Sequence, residues 1–354
     1  MYQLKLLRSL KERVGTLKPN TEDRISKYLS MLNKGMLFDE LSDNYLRNSG
    51  AYDILHGVPV PVLPGEDGEL STLSIALNMA KIIGGDSNYP YTEQYLRYIK
   101  FIANDDAAPL LISEGAREAD RDNFEVACMY FRAALQIEPK SRDALYLYGR
   151  ACQSAYERED NDEDYVGNFK AESLEAFELL TMIHPDFDMG YFFLGYAYLN
   201  LGLYTKTKLT WESFLKLHEA DDEFREEIED RIEHLDDPVI IEQGCNKIMS
   251  GDYMGGKEML EPFMEGRYEQ WWPLWYHLGV AEESLGNTEA AIQRFKKVLT
   301  FVPSNIDVMK ELVALYKVLG DETNAEKYSN KIEIVQSNLV EEQVTENATL
   351  KMGE

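Results

Sequence analysis

Positive charge is what this chain has too little of. It sets 36 basic residues against 63 acidic ones, for a formal net charge of −27. That deficit argues against a nucleic-acid ligand, because phosphate binding draws on a surplus of Lys and Arg. It disfavours an anionic membrane surface for the same reason. Cysteine is scarce too. Cys128, Cys152 and Cys245 are odd in number and far apart in sequence, which suits a reducing compartment and supplies neither a disulfide framework nor clustered zinc ligands. A run of about 20 apolar residues, the length that spans a bilayer, is missing. The N-terminus also lacks the separated basic, apolar and cleavage regions of a signal peptide. A cytoplasmic location is expected.

Catalytic motifs are missing as well. His56, His184, His218, His234 and His277 are scattered without a partner at ligand spacing, and neither a serine-nucleophile motif nor a phosphate-binding glycine loop occurs. Gly84-Gly85 reads as a helix stop. Asp160, Asp162 and Asp164 alternate as in a calcium loop, but Tyr165 and Ala171 stand where such a loop needs Gly and Glu. A solvated acidic loop is the expectation, with no metal, no cofactor and no enzymatic activity.

What is present is helical periodicity. Residues 2 to 17 form a basic amphipathic pattern on Leu7, Leu10, Val14 and Leu17, and Ile25, Tyr28, Leu29 and Leu32 make a second stripe. A short helix is expected around Phe38 and Leu41. Val58 to Pro64 alternates proline and reads as an extended connector. Leu73, Leu77, Ala80 and Ile83, then Tyr95, Ile99 and Ile102, predict a helical hairpin. Residues 1 to 104 carry 12 Lys or Arg and 12 Asp or Glu, so the whole excess of negative charge lies beyond Asn104. A domain boundary is predicted there. The polar stretch from Val340 to Glu354 reads as a disordered acidic tail.

From Ala108 the pattern repeats in a frame of about 34 residues. Gly115, Ala127 and Phe131 hold positions 8, 20 and 24; Gly149 holds position 8 of the next copy. Tyr191, Leu194, Gly195, Tyr198 and Trp211 hold 4, 7, 8, 11 and 24, and Trp275, Leu278, Gly279, Ala291 and Phe295 hold 4, 7, 8, 20 and 24. Gly244, Gly256 and Leu260 mark a weaker copy, and Leu312, Tyr316 and Ala325 the last. Glycine inside a helix costs about 1 kcal/mol against alanine, so each position-8 glycine implies a second helix crossing at backbone distance. Two insertions break the period, near residues 155 to 166 and 220 to 236.

This pattern resembles the tetratricopeptide repeat over residues 108 to 335. The resemblance implies an all-α fold: an α-solenoid of about six helix-turn-helix units in a right-handed superhelix, residues 105 to 338, preceded by an irregular helical region. It also implies a concave groove lined by positions 2, 5, 9, 12 and 13 of each first helix. Ile112, Tyr146, Arg150, Phe192, Tyr196, Asn200, Ile241 and Tyr276 occupy such positions and are the candidate partner-binding residues. Members that grip a chaperone's terminal carboxylate carry Lys, Asn and Arg where this chain has Ile112, Ala116, Leu147, Met189 and Phe193, which excludes that clamp. The expected function is a protein-interaction scaffold for an apolar or amphipathic peptide or helix, with a homodimer open. Two alternatives are a peptide receptor whose N-terminal helices respond to the ligand, and an N-terminal region with unrecognised catalytic activity. The basic helix 2 to 17, or Val58 to Pro64, could also occupy the groove itself.

Overall fold

The structure, a computed structural model, describes residues 23–62, 71–158, 162–220 and 222–352, with the side chains of 339–352 left out. The basic helix expected at 2 to 17 lies outside these residues. The chain begins with α1 (Ser26–Leu29) and a 3-10 turn, then β1 (Leu37–Glu40), α2 (Asp43–Ser49), α3 (Tyr52–Leu55) and β2 (Pro59–Val62). Helices follow: α4 (Thr72–Gly85), α5 (Thr92–Ala103), α6 (Ala107–Ala119), α7 (Phe124–Ile137), α8 (Arg142–Tyr156), α9 (Glu163–Ile183), α10 (Asp188–Leu199) and α11 (Tyr204–Leu217). Then come α12 (Glu223–Glu233), α13 (Asp236–Met249), α14 (Tyr253–Leu260), α15 (Trp272–Ser284), α16 (Thr288–Phe301), α17 (Ile306–Val318) and α18 (Glu322–Met352).

The repeated glycines sit where helices of a pair cross. A Cβ on Gly115 would lie 2.5 Å from the Phe131 ring, on Gly149 2.8 Å from Phe177, on Gly244 2.7 Å from Leu260, and on Gly279 2.6 Å from Phe295. At Gly195 it would lie 2.1 Å from the indole nitrogen of Trp211. Each hairpin thus locks one large side chain of its second helix onto a bare patch of its first. The turns share a device too. Asp122, Gly202, Gly251, Gly286 and Gly320, all at position 15 of the frame, have positive φ, the conformation that closes a helix end at little cost for glycine.

The molecule divides into two compact units, and the division runs through α11: residues up to Gly202 with Leu209–Arg225 form the first, Leu203–Lys208 with Glu226 onward the second. The boundary expected at Asn104 is not there. Tyr95, Tyr98 and Ile99 of α5 share one apolar core with Leu111 of α6 and with Tyr130, Ala133 and Ala134 of α7. Surface charge marks composition, whereas apolar faces decide what packs.

Other expectations are corrected by packing. α4 ends at Gly84-Gly85 as expected, but the pair does more than stop it: a Cβ on Gly84 would come 1.9 Å from the Met129 carbonyl oxygen, so the pair lets α4 approach α7. Phe38, expected in a helix with Leu41, lies in β1, which ends before Leu41 and pairs antiparallel with β2: Phe38 faces Pro61 and Glu40 faces Pro59. The proline connector is therefore a strand. Its prolines are two residues apart, so both lie on the edge that the ladder does not use, and Val60 and Val62 supply the pairing N–H groups. The outward carbonyls are used as well: Tyr95 donates to that of Pro59 and Asn78 to that of Pro61. The C-terminal stretch expected to be disordered continues α18 to Met352; its Glu, Gln, Leu, Ala and Lys are good helix formers.

Gly195→Ala should cost about 1 to 3 kcal/mol of stability by overpacking. Trp211 cannot retreat without losing the bond from its indole N–H to the Phe192 carbonyl, 3.1 Å. Gly286→Ala faces open space but has φ +82 and should cost about 1 kcal/mol through the backbone alone. Urea titrations followed by circular dichroism check both; a neutral Gly195→Ala would refute a tight crossing.

Candidate partner-binding surface

Helix α8 starts behind Ser141, whose hydroxyl accepts from the Ala144 N–H. On this helix Tyr146 and Arg150 are four residues apart and share a face. The next first helix, α10, brings Phe187 and Phe193 against them. Tyr146 meets Phe187 edge-on at 5.4 Å and Phe193 at 5.8 Å between ring centroids. The Arg150 guanidinium lies 4.3 Å over the Phe193 ring and donates to the Tyr146 hydroxyl at 3.2 Å. At the other end Arg142 sits 5.2 Å over Phe187. Three rings bracketed by two arginines thus form a partly exposed strip, with Arg150 itself exposed.

Beside the strip lies a cavity of about 570 Å³, lined on α6 by Pro109, Ile112 and Ala116 and at the foot of α8 by Lys140 and Arg142, with His184 adjoining. The imidazole Nε2 of His184 donates to the Lys140 carbonyl at 2.7 Å, which fixes the loop that enters α8. Glu138 and Asp143 line it beside Lys140 and Arg142, so an apolar wall meets a rim of both charge signs, which suits an amphipathic ligand.

Of the predicted residues, Ile112, Tyr146 and Arg150 are brought together around this surface. Tyr196 is half-buried and packs edge-on against Trp211 at 5.0 Å; Asn200 is exposed at the end of α10. Phe192 is corrected. It is 5% exposed and lies between Phe214 and Phe224, each at 5.4 Å. The inserted stretch brings Phe224 over position 5 of α10, and this turns a groove position into core. Ile241 is likewise buried, among Cys245, Leu260 and Leu274, because position 5 of α13 faces the next first helix. Phe187 and Phe193 were missed by sequence reading, since one lies in a loop and the other at position 6 of the frame.

Residues 273–305 match the model of the tetratricopeptide repeat, and they span the Gly279–Phe295 crossing. The chain thus carries a tetratricopeptide repeat in its second unit. Solved structures similar to it include PilF of Pseudomonas aeruginosa, at 16% identity over 69% of this chain and 98% of that one, TM-score 0.33. MamA of Desulfovibrio magneticus RS-1 has 14% identity over 67% and 98%, TM-score 0.27, and a repeat protein of Parabacteroides merdae has 12% over 75% and 99%, TM-score 0.31. No curated protein matches the chain. Among the described residues, no helix is long and apolar enough to cross a membrane.

In the second unit of this repeat protein, Tyr276 is half-buried, tilted against Phe295 at 5.9 Å. Burial, and then the carboxylates of Glu311, Asp307 and Glu283, raise its phenol pKa. Its ring also meets Trp272 edge-on at 6.5 Å, while the cations nearby, Arg294 and Lys297, lie over Trp275 instead.

The residues after position 22 stay off the strip. Ile25 and Leu29 are buried in a core with Cys128, Met129 and Tyr165; Asp23 pairs with Arg132 of α7, Arg24 with Glu175 of α9 at 2.9 Å, and Lys27 with Asp164. These partners lie on second helices. Val58 and Val60 are buried in the core with α4 and α5, and the carbonyls of Pro59 and Pro61 in β2 are taken by Tyr95 and Asn78. Asp162 caps α9 and Asp164 binds Lys27 and Tyr28, so two of the alternating aspartates already have partners; Asp160 lies outside the described residues. Cys128 and Cys152, distant in sequence, bring their sulfurs within 3.6 Å. Burial, then Cys128 itself, pushes the Cys152 thiol pKa well up, which leaves it a poor nucleophile.

His218, stacked on Phe214, joins the start of α10 to the residue that caps α12: Nδ1 donates to Asp188 at 2.6 Å and Nε2 to Asp222 at 3.0 Å. The bond to Asp188 and then that to Asp222 raise its pKa against the opposing effect of burial, and the bond from His218 lowers that of Asp222. A raised histidine stabilises fully below its unfolded value and loses that contribution as pH rises through the folded one; the carboxylate loses its share as pH falls through its own depressed value. Melting temperatures should therefore drop between pH 6 and pH 8.5, by roughly the range over which a histidine titrates, more in the wild type than in His218→Gln. Parallel curves would remove His218 from this role.

Proposed function

We propose that this chain is a non-enzymatic interaction scaffold, and that the first-helix face of its first unit takes an apolar or amphipathic segment of a protein partner. Ile112, Tyr146, Arg150 and Tyr196 would contact it, with Phe187 and Phe193 completing the surface and Asn200 at its edge; Tyr276 would serve a separate contact in the second unit. One observation carries the reading: an arginine held in the open over aromatic rings, on the helices that repeat proteins use for recognition, beside a cavity with an apolar wall. Aromatic residues and arginine dominate binding hot spots. Phe192 and Ile241 are withdrawn as contacts because their burial assigns them to the core. A reducing, cytoplasmic setting fits the three buried free thiols, and neither a metal nor a cofactor is needed.

The double variant Tyr146→Ala/Arg150→Ala should lose a partner captured from extract of the source cell by about thirtyfold, equivalent to about 2 kcal/mol, with its helical circular dichroism unchanged. Phe192→Ala should instead lower stability by about 3 to 5 kcal/mol. Quantitative mass spectrometry of the captured proteins checks the first outcome. An identical partner profile for the double variant would sink the assignment of this face.

A further inference from the structure

The strip has two ends, and they differ in one respect. Arg142, over Phe187, has the Asp143 carboxylate at 2.9 Å. Arg150, eight residues and about 12 Å further along α8, has only aromatic partners among the described residues: the Phe193 ring beneath it and the Tyr146 hydroxyl beside it. In a chain with 63 acidic residues to 36 basic ones few arginines share this; Arg267 lies over Tyr268 and Arg294 over Trp275, whereas most others sit on carboxylates. Arg24 lies on Glu172 and Glu175, Arg132 on Asp23, Arg117 on Glu114, Arg121 on Glu118 and Arg158 on Glu125.

Arg150 is also placed in advance. Stacking on a ring and bonding to a hydroxyl remove much of the side-chain freedom that binding would otherwise have to restrict, and they leave most of the guanidinium's five donors facing outward. Such a fork matches the two oxygens of a carboxylate. The rings next to it offer apolar contact to a neighbouring side chain, so the two requirements fall on adjacent parts of one ligand.

Resting on the scaffold reading, we infer that the bound segment carries an Asp or Glu side chain that pairs with Arg150, next to an aromatic or aliphatic side chain laid on Phe193 and Tyr146. The partner is an acidic, apolar peptide segment recognised by an internal carboxylate. A basic segment is repelled at this point, and a wholly apolar one leaves the guanidinium without its complement.

The test pans a phage-displayed library of random dodecapeptides on the immobilised full chain, on Arg150→Glu and on Tyr146→Ala, each checked for folding by circular dichroism. Wild type should enrich peptides with Asp or Glu beside an aromatic or aliphatic residue, and Arg150→Glu should lose them and enrich Lys or Arg. A synthetic peptide of the winning family should weaken at least tenfold when its acid is changed to the amide, and less than twofold when the same change is measured against Arg150→Gln. Apolar peptides that bind wild type and Arg150→Glu alike, but not Tyr146→Ala, would overturn the carboxylate inference and leave the scaffold face standing. Peptides indifferent to both substitutions, or no enrichment, would overturn the face and the inference with it.

Discussion

Everything in this chain depends on two helices being able to touch at a glycine. At Gly115, Gly149, Gly195, Gly244 and Gly279 a large side chain from the second helix of the pair occupies the space that a Cβ would need. Because the contact is made backbone to ring, it fixes the rotation of each first helix as well as its distance. The rotation decides which residues look inward and which look away. Tyr146 and Arg150 owe their shared orientation to Gly149 next to them, seated against Phe177. The cost of glycine in a helix is thus offset by the packing it permits, and the recognition surface is a by-product of that packing.

The hairpins were legible in the sequence because the constraint is periodic. Glycine and a large apolar residue recur sixteen positions apart in four of the five crossings, and no surface requirement produces that spacing. The surface was legible only in part. Tyr146, Arg150 and Ile112 follow from the frame; Phe192 does not, because Phe224 comes from an insertion that the frame cannot anticipate and lies against it. Ile241 fails for a related reason, since its burial depends on Leu274 of a different hairpin. Phe187 and Phe193 act through proximity to α8, which no reading of a single helix contains. The sheet escaped notice because proline excluded a helix there but did not reveal that Pro59 and Pro61 offer their carbonyls to Tyr95 and Asn78.

Charge is used economically. Where the segment after position 22 meets α7 and α9, Arg24 and Lys27 approach Glu175 and Asp164, and Asp23 approaches Arg132. Opposite charges there set the register of an otherwise apolar contact made by Ile25 and Leu29. On the strip the logic is reversed: a cation is supported by rings, and its own chain supplies no carboxylate among the described residues. The same residue type is in one place part of the fold and in the other part of a surface.

The left-handed turn residue has one further consequence. It occurs at position 15 in the hairpins that close with Asp122, Gly202, Gly251, Gly286 and Gly320, and the hairpin of α8 and α9 has Tyr156 there instead. A turn that is not pinned can be lengthened without unpicking the crossing beneath it. This is the hairpin whose turn is extended, and whose second helix starts early enough for Asp164 to reach Lys27 and Tyr28. The turn that lacks this residue is thereby a foothold for a distant part of the chain, so the place where the repeat array departs from its own rule is also where a further attachment is made.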